Sequence, residues 1–202
     1  MATNVSIANL ALQILGVSTK IESLDADNPN AREINSCFIS LREELLRKFP
    51  WNFAKKRATL PALTDQTVWG ELNRYQTPTD LLRLLRPTDR HVDWELERSD
   101  TSGDVIVTRD TAPLQIRYIS EVTNPAQFDS EFVQVFAARL AQQCCQPITS
   151  SAEKQQIADK AFAVALRDAR MANAFERASD ETITDNYLVA MGSTGPFNVI
   201  FR

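Results

Sequence analysis

The sequence predicts an α+β protein, in which a bundle of about four helices carries an inserted antiparallel β-meander and an extended C-terminal arm. Three observations predict this fold class. Towards both ends of the chain, apolar residues recur at spacings of three and four, as on the buried face of a helix. In the middle the apolar period changes to two, which is typical of strands. The final residues are apolar without any period. The expected units are a helical bundle domain (1–54 and 124–180), a β-rich insertion (55–123) and an arm (181–202).

The first two helices are predicted from the residues at their ends. We expect Asn4 to cap the first helix and Gly16 to end it in the left-handed conformation that glycine tolerates. A loop then leads to Asn28, the expected cap of the second helix, with Pro29 in its first turn. Pro50 should end this helix. Its expected buried face consists of Ala31, Ile34, Phe38, Leu41, Leu45 and Phe49.

Strands are predicted where apolar and polar residues alternate. The alternation covers His91–Glu97, the residues around 105–107, and Leu114–Tyr118. Ser102–Asp104 is a hairpin signal and Thr111–Pro113 is a second break. The pattern predicts an antiparallel meander but does not predict the order of its strands.

Two further helices are expected after the insertion. Asp129 and Ser130 should begin the third, which should stop near Pro147. Ser150 and Glu153 have the spacing of a capping box, so we expect the fourth helix to begin there and to run to about residue 178. An alanine-rich stripe on this helix would let another helix approach closely, either within the chain, which we favour, or across a subunit seam. It consists of Ala158, Ala161, Phe162, Ala165, Ala169 and Ala172.

Composition and charge restrict the classes of function. The formal net charge is −4 and the isoelectric point is about 5.1, whereas a protein that grips nucleic acid usually has a basic footprint. An acidic wall is still compatible with a channel through which DNA slides. The N-terminus lacks the layout of a signal peptide, and no apolar run approaches about 18 residues. We therefore expect no membrane partner and a cytoplasmic location at synthesis.

The residue types that usually carry chemistry do not form a recognisable site. His91 is the single histidine, and neither a nucleophile elbow nor a phosphate-binding glycine loop is present. Cys37, Cys144 and Cys145 have no metal-ligand spacing and lie among apolar residues of helical period, so we expect small buried side chains. The sequence therefore predicts no enzyme, no cofactor and no metal.

Two basic clusters have two interpretations each. Residues 47–57 interleave Lys and Arg with aromatic residues, which is typical of a nucleic-acid stacking platform or of a helix end with core aromatics. We favour the helix end, with Pro50, Trp51 and Phe53 as a structural hinge between the second helix and the insertion. A second set is either a group of intersubunit charge contacts or a solvated loop, and we give both equal weight. It consists of Arg83, Arg86 and Arg90.

The C-terminal arm is too apolar to remain solvated and too short for a domain. We expect it to bury itself on its own body or, in the interpretation that we favour, on a partner or neighbouring subunit. The candidate contact residues are Tyr187, Leu188, Phe197, Val199 and Phe201.

Several segments, taken in order, resemble the tail tubular protein A family, the head-to-tail adaptor or gatekeeper proteins of tailed bacteriophages. The strongest is Arg42–Ala54, since the family has a similar Pro-Trp-Asn-Phe-Ala turn between a helix and its β insertion. The resemblance covers about residues 4 to 178. The other segments are Asn9–Gly16 with Ile21–Leu24, Tyr75–Asp80, Ile116–Ile119, Phe136–Ala141 with Pro147–Thr149, and Ala169–Glu176.

The resemblance implies a structural virion protein without catalytic residues. It would form a ring, usually of twelve copies, between the portal protein and the tail nozzle or tail tube. Double-stranded DNA would pass through the lumen without sequence-specific binding, and the arm would reach the portal or a neighbouring subunit. The protein would be in the host cytoplasm during assembly and then in the virion neck. The alternatives are a DNA-associated packaging or regulatory factor that uses residues 47–57, and a small hydrolase of the virion.

Overall fold

A computed structural model describes residues 2–64, 72–85, 94–99 and 103–176. The described residues form an α+β fold of four helices and two small antiparallel sheets, which confirms the predicted fold class. The helices are α1 (Asn4–Ile14), α2 (Pro29–Lys48), α3 (Ser130–Thr149) and α4 (Ala152–Phe175). The strands are β1 (Lys55–Leu60), β2 (Asn73–Gln76), β3 (Leu81–Leu85), β4 (Trp94–Ser99), β5 (Gly103–Thr108) and β6 (Leu114–Ser120). The predicted arm and the end of the bundle domain, residues 177–202, lie outside the described residues.

The ends of α1 and α2 follow the predicted signals, with one correction. The cap of α1 is Thr3 and not Asn4, because Thr3 and Ser6 form a reciprocal capping box: the Ser6 amide donates to Thr3 Oγ1 at 3.0 Å, and the Thr3 amide donates to Ser6 Oγ at 2.8 Å. Gly16 has the expected left-handed φ of 65°. Asn28 caps α2 by accepting a hydrogen bond from the Asn30 amide at 2.9 Å.

The junction between α3 and α4 differs from the prediction by a few residues. Helix α3 continues past Pro147 to Thr149, because the Thr149 hydroxyl and the Ser150 amide donate to the carbonyls of Cys145 and Gln146, at 2.8 and 3.0 Å. Ser150 adopts a left-handed φ of 48°, which ends α3 and rules out the predicted capping box. Ser151 caps α4 instead.

The insertion is antiparallel as predicted, but it is not a meander. The strand orders are β1-β6-β3 in one sheet and β2-β5-β4 in the other, so only β4 and β5 are neighbours in both sequence and space. The expected β4–β5 hairpin is present, with Ser99 opposite Gly103. Strands β1, β2 and β3 were not predicted, because their sequences lack a clear alternation of apolar and polar residues, and they are held by pairing with β6 or β5.

Buried apolar residues form two clusters. The larger cluster lies between α1, α2 and α3 and includes Trp51 and Ile119. The smaller cluster joins the two sheets, with Tyr75 and Ile106 completely buried at its centre. The predicted face of α2 is buried from Ala31 to Leu45 within the larger cluster. The expectation of small buried side chains is confirmed for Cys144 and Cys145, while Cys37 is only half-buried.

An ion pair fastens the β insertion to the helices. Arg42 of α2 donates from Nη2 to Glu121 Oε1 at 2.8 Å, just beyond β6. The Arg42 side chain is 9% exposed and the Glu121 side chain is 34% exposed. The hydroxyl of Ser120, which is also buried, donates to the carbonyl of Ala54 at 3.1 Å. The two chain crossings between bundle and insertion are therefore held side by side.

Across the described ranges, none of the helices combines the length and the apolar content that crossing a membrane requires.

Candidate assembly surface

The predicted hinge residues form a rigid aromatic junction between α2 and β1. Trp51 is 2% exposed, and its Nε1 donates to the carbonyl of Leu45 at 2.8 Å. Its ring meets the ring of Phe132 on α3 edge-on, with 5.0 Å between the centroids. Phe53 packs on the same phenylalanine at 5.1 Å. Both rings pack on Phe132, which favours the helix-end interpretation of residues 47–57 over the stacking platform.

The backbone of the junction is also bound to the end of α4, a contact that the sequence analysis missed. The Asn52 amide donates to Asn173 Oδ1 at 2.9 Å, and Asn52 Nδ2 donates to the Asn173 carbonyl at 3.0 Å. Asn173 in turn donates from Nδ2 to the carbonyl of Pro50 at 3.3 Å. Nothing in the local pattern identifies Asn173, because its partners are more than 120 residues away. The last turn of α4 is therefore held against the junction.

Arg83 makes a contact within the chain. It lies in β3 and not in a loop, so the expected loop is wrong for this residue, but its side chain is exposed as a solvated residue's would be. Its Nη1 donates to the carbonyls of Arg47 and Lys48, at 3.3 and 3.2 Å. These carbonyls belong to the last turn of α2, where they lack helical partners and carry the negative end of the helix dipole. Arg83 is thus a capping cation for α2, while Arg86 and Arg90 lie outside the described residues.

Lys56, one of the basic residues of segment 47–57, is paired inside the insertion. Its Nζ donates to Asp80 Oδ2 at 2.7 Å, and the Tyr118 hydroxyl donates to Asp80 Oδ1 at 3.0 Å. Burial raises the pKa of Asp80, but the hydrogen bonds from Lys56 and Tyr118 outweigh it and leave this pKa below its usual value. Burial and the bond to Asp80 raise the pKa of Tyr118 to about 12. This cluster connects β1, β6 and the turn before β3, so its charges are structural.

The alanine-rich stripe of α4 faces the bundle. Ala158 and Ala169 are completely buried, and Phe162, Ala165 and Leu166 pack against the main core. Most of the contacts of α4 are with α3, which bears out the interpretation of this stripe as packing within the chain.

A different face of α4 carries the largest exposed apolar set among the described residues. Its members lie seven, seven and four residues apart and therefore project within about 40° of one another, at about 100° per residue. This face is turned by roughly 120° from the face that holds Ala158 and Ala169. We call it the α4 stripe. It consists of Ile157 (52% exposed), Val164 (50%), Met171 (54%) and Phe175 (84%).

The α4 stripe extends to the C-terminal end of α4. It is about 27 Å long, at about 1.5 Å per residue, and it ends at Phe175 beside the Asn52–Asn173 contact. The other exposed large apolar residues are separated from it, with Ile39 on α2 and Leu96 on β4. The exposed Arg167–Asp168 pair lies between Val164 and Met171, so the stripe is a row of separate apolar side chains on one face of α4 and not a continuous patch.

Within the described residues, no group of three or more His, Cys, Asp and Glu side chains is placed to hold a metal ion. His91 and the candidate contact residues of the arm lie outside the described ranges, and these arm residues are Tyr187, Leu188, Phe197, Val199 and Phe201.

No protein-family model matches the chain, and a search of curated proteins finds no significant relative.

Proposed function

We propose that this chain is a structural subunit of a tailed-bacteriophage virion, a head-to-tail adaptor that forms a ring between the portal protein and the tail nozzle or tail tube. The ring would contain about twelve copies, as the resemblance of Arg42–Ala54 and the other segments implies. Double-stranded DNA would pass through its lumen without sequence-specific contacts. In this role the chain carries out no reaction, and its mechanism is assembly.

The observation that carries the proposal is the α4 stripe. Four large apolar side chains, each half or more exposed, lie in one row on a helix whose opposite side is firmly packed on α3. Complete burial of a fully exposed Val, Ile, Met or Phe contributes about 1.5–3 kcal/mol, so a partner that covered all the surface still exposed on these four side chains would gain about 4–7 kcal/mol, and one that covered half would gain about 2–4 kcal/mol. A ring subunit needs such a surface for its neighbours, and a second copy of this chain is the occupant that we propose.

The position of the stripe also suits the arm. Residues 177–202 begin one residue after Glu176, whose Oε2 accepts a hydrogen bond from Asn52 Nδ2 at 2.9 Å. The arm follows α4 in the chain, and we propose that it attaches to the portal or to the adjacent adaptor through Tyr187, Leu188, Phe197, Val199 and Phe201.

The test of the stripe uses charge substitutions on the full chain. Val164→Glu and Met171→Glu should leave the melting temperature nearly unchanged, since both side chains are half exposed. Each should prevent ring formation on portal particles, measured by sedimentation and by electron microscopy of the particles. Ile39→Glu is the matched control, because Ile39 is 58% exposed but lies on α2, away from the stripe.

Two results would contradict the proposal. The first is a stable dimer that ignores portal particles, because a closed dimer leaves no free surface for a ring. The second is normal ring formation by Val164→Glu and Met171→Glu. Imaging of virion necks decides the role itself, since an adaptor must appear there as a ring between portal and tail.

The arm is tested by deletion of residues 182–202. If it carries attachment, the deletion should leave the melting temperature nearly unchanged and abolish stable incorporation into necks. If the deletion variant does not fold, the arm is part of the chain's own core. Truncated subunits that still assemble would place the attachment surface elsewhere.

The salt dependence of DNA binding distinguishes the adaptor from the DNA-associated alternative. A protein that binds DNA through its basic residues loses affinity steeply as salt rises, because each phosphate contact releases counterions. An adaptor that only surrounds the DNA should show little binding to free duplex at any salt concentration. The burial of Trp51 and the pairing of Lys56 with Asp80 favour the adaptor.

A further inference from the structure

Two thiols meet where α2 packs on α3. Cys37 Sγ lies 3.3 Å from Cys144 Sγ, although the two residues are 107 positions apart. The contact is held by the aromatic pair one position further along α2, with 4.9 Å between the ring centroids of Phe38 and Phe136. Both cysteines are free thiols in this structure.

The distance allows a covalent bond with little movement. A disulfide requires about 2.05 Å between sulfur atoms, so the two thiols must approach by roughly 1.2 Å, which side-chain rotation and small helix shifts can supply. The third cysteine is directed elsewhere. Cys145 Sγ lies 3.4 Å from Thr149 Oγ1 and 4.0 Å from the Ser151 carbonyl, on the α3–α4 side.

The environments of the two thiols differ, so Cys37 should react before Cys144. Cys37 is half-buried and Cys144 is 3% exposed, so an external reagent reaches Cys37 first. The hydrogen bond with the Cys144 thiol lowers the pKa of Cys37 in spite of burial; the nearby Glu33 carboxylate opposes this effect and the Arg139 guanidinium supports it. The same bond and burial raise the pKa of Cys144. A thiolate at Cys37 is the better nucleophile, because the thiolate is the reactive form.

We propose that Cys37 and Cys144 form a modification site, a dithiol that small-molecule disulfides oxidise to an intramolecular disulfide between α2 and α3. In the first step the Cys37 thiolate attacks the external disulfide, forms a mixed disulfide and releases one thiol. In the second step Cys144 loses its proton, attacks the Cys37 sulfur and releases the second thiol. The two protein thiols are oxidised by two electrons, and the external disulfide is reduced to two thiols.

The disulfide itself does not depend on the proposed function, but one consequence does. Thiols remain reduced in a bacterial cytoplasm and are oxidised outside it. In an adaptor, the helices would then be free of the cross-link while subunits are made and assembled. The bond would close after the particle leaves the cell and would stabilise the ring subunit in the virion.

The experiment uses the reduced, full-length protein and oxidised glutathione as the probe. We expect the number of thiols that react after unfolding to fall from the three of the free protein to one, with no dimer on a non-reducing gel. Trypsin should then yield one linked pair of peptides, 33–42 with 140–154, that separates on reduction. The oxidised protein should melt at a higher temperature than the reduced protein, and reductant should reverse the shift.

Serine variants identify which two cysteines form the disulfide. Cys145→Ser is the matched control and should still form the 33–42 to 140–154 link, since it retains both partners. Cys144→Ser should stop at a stable glutathione adduct on Cys37, and Cys37→Ser should form no link between these peptides. Circular dichroism confirms that each variant is folded.

Three results would overturn the proposal. One is a glutathione adduct on Cys37 that persists in the unsubstituted protein, and another is a link within peptide 140–154. The third is oxidation that is equally fast and selective in the urea-unfolded chain, because the proposal attributes the reaction to the packing of α2 on α3. Since all readouts concern the isolated chain, the proposal can fail while the adaptor function stands, and the reverse is also true.

Discussion

Trp51→Ala is the most informative perturbation of the fold, because Trp51 contacts both α2 and α3. Its ring is 2% exposed and packs edge-on against Phe132 of α3 at 5.0 Å. The ring of Phe49, at the end of α2, lies 6.0 Å away. Its Nε1 satisfies the carbonyl of Leu45 in α2 at 2.8 Å. The substitution removes the ring and the donor together.

The magnitude follows from these contacts. Truncation of a buried Trp to Ala costs about 3–5 kcal/mol of the free energy of unfolding, as lost burial plus the cavity that remains. A part of this, about 1 kcal/mol, is the hydrogen bond to the Leu45 carbonyl. For a domain of this size each kcal/mol lowers the melting temperature by about 2–4 °C, so the expected fall is roughly 6–20 °C.

The assay is thermal and urea unfolding of the purified chain, with two companion variants. Trp51→Phe keeps much of the ring and loses the donor, so it should lie between Trp51→Ala and the unsubstituted protein. Phe175→Ala is the control for loss of an aromatic ring, because Phe175 is 84% exposed and its truncation should leave stability unchanged.

One outcome would refute this reasoning. If Trp51→Ala kept its melting temperature and instead lost binding to DNA, the ring would be an exposed stacking platform and not a core anchor. A large fall in melting temperature for Phe175→Ala would equally contradict the assignment of α4's outer face to a free surface.

Three further predictions concern polar contacts. Glu121→Ala leaves Arg42 buried without its partner and should lower the free energy of unfolding by about 1–3 kcal/mol, measured in urea. Arg83→Ala removes the donor to the last carbonyls of α2 and should cost about 0.5–1.5 kcal/mol in the same assay, while Arg57→Ala, in exposed β1, should cost less. The pKa of Tyr118 is about 12 in the folded protein and 10 when unperturbed. The stability that protonated Tyr118 contributes to the folded protein is therefore fully present below pH 10 and is lost as the pH rises towards 12. Tyr118→Phe should weaken this alkaline loss of stability.

Each of these predictions has a contrary outcome. An unchanged free energy of unfolding in Glu121→Ala would mean that Glu43, 3.9 Å from Arg42, replaces the lost partner. Equal effects of Arg83→Ala and Arg57→Ala would remove the special role of Arg83. An alkaline unfolding profile that is identical in Tyr118→Phe would show that the Tyr118–Asp80 bond does not contribute.

The helices could be predicted because their signals are local. Asn28 caps α2 through an amide two residues away, and Pro29 fits a first turn that needs no amide donor there. The errors at Asn4 and Ser150 are of one residue each. In both places a neighbour with equivalent side-chain chemistry, Thr3 or Ser151, has the geometry to accept the bond.

The strands show where local signals end. β6 alternates and was predicted, since one of its faces covers the smaller core. β1, β2 and β3 do not alternate, because their hydrogen bonds come from β6 and β5 and their burial depends on what lies above each sheet. A partner strand that is tens of residues away does not affect the apolar period of a short segment, so the local sequence does not predict the pairing.

The surface and the dithiol depended on tertiary structure for the same reason. Ile157, Val164 and Met171 are apolar in the sequence, but only the packing of the alanine face on α3 shows that they are exposed. The sequence pattern predicted that Cys37 and Cys144 are small core residues. Only the packing of α2 on α3 shows that their sulfur atoms lie 3.3 Å apart.

The sequence by itself determined the four helices, most of their ends and the antiparallel character of the insertion, because caps, turns and periods act over a few residues. Only the tertiary structure decided the strand partners, the contact of Arg83 with α2, the Asn52–Asn173 contact and the exposed face of α4. These depend on which distant segments meet, and that choice is made by the burial of whole faces and not by neighbouring residues.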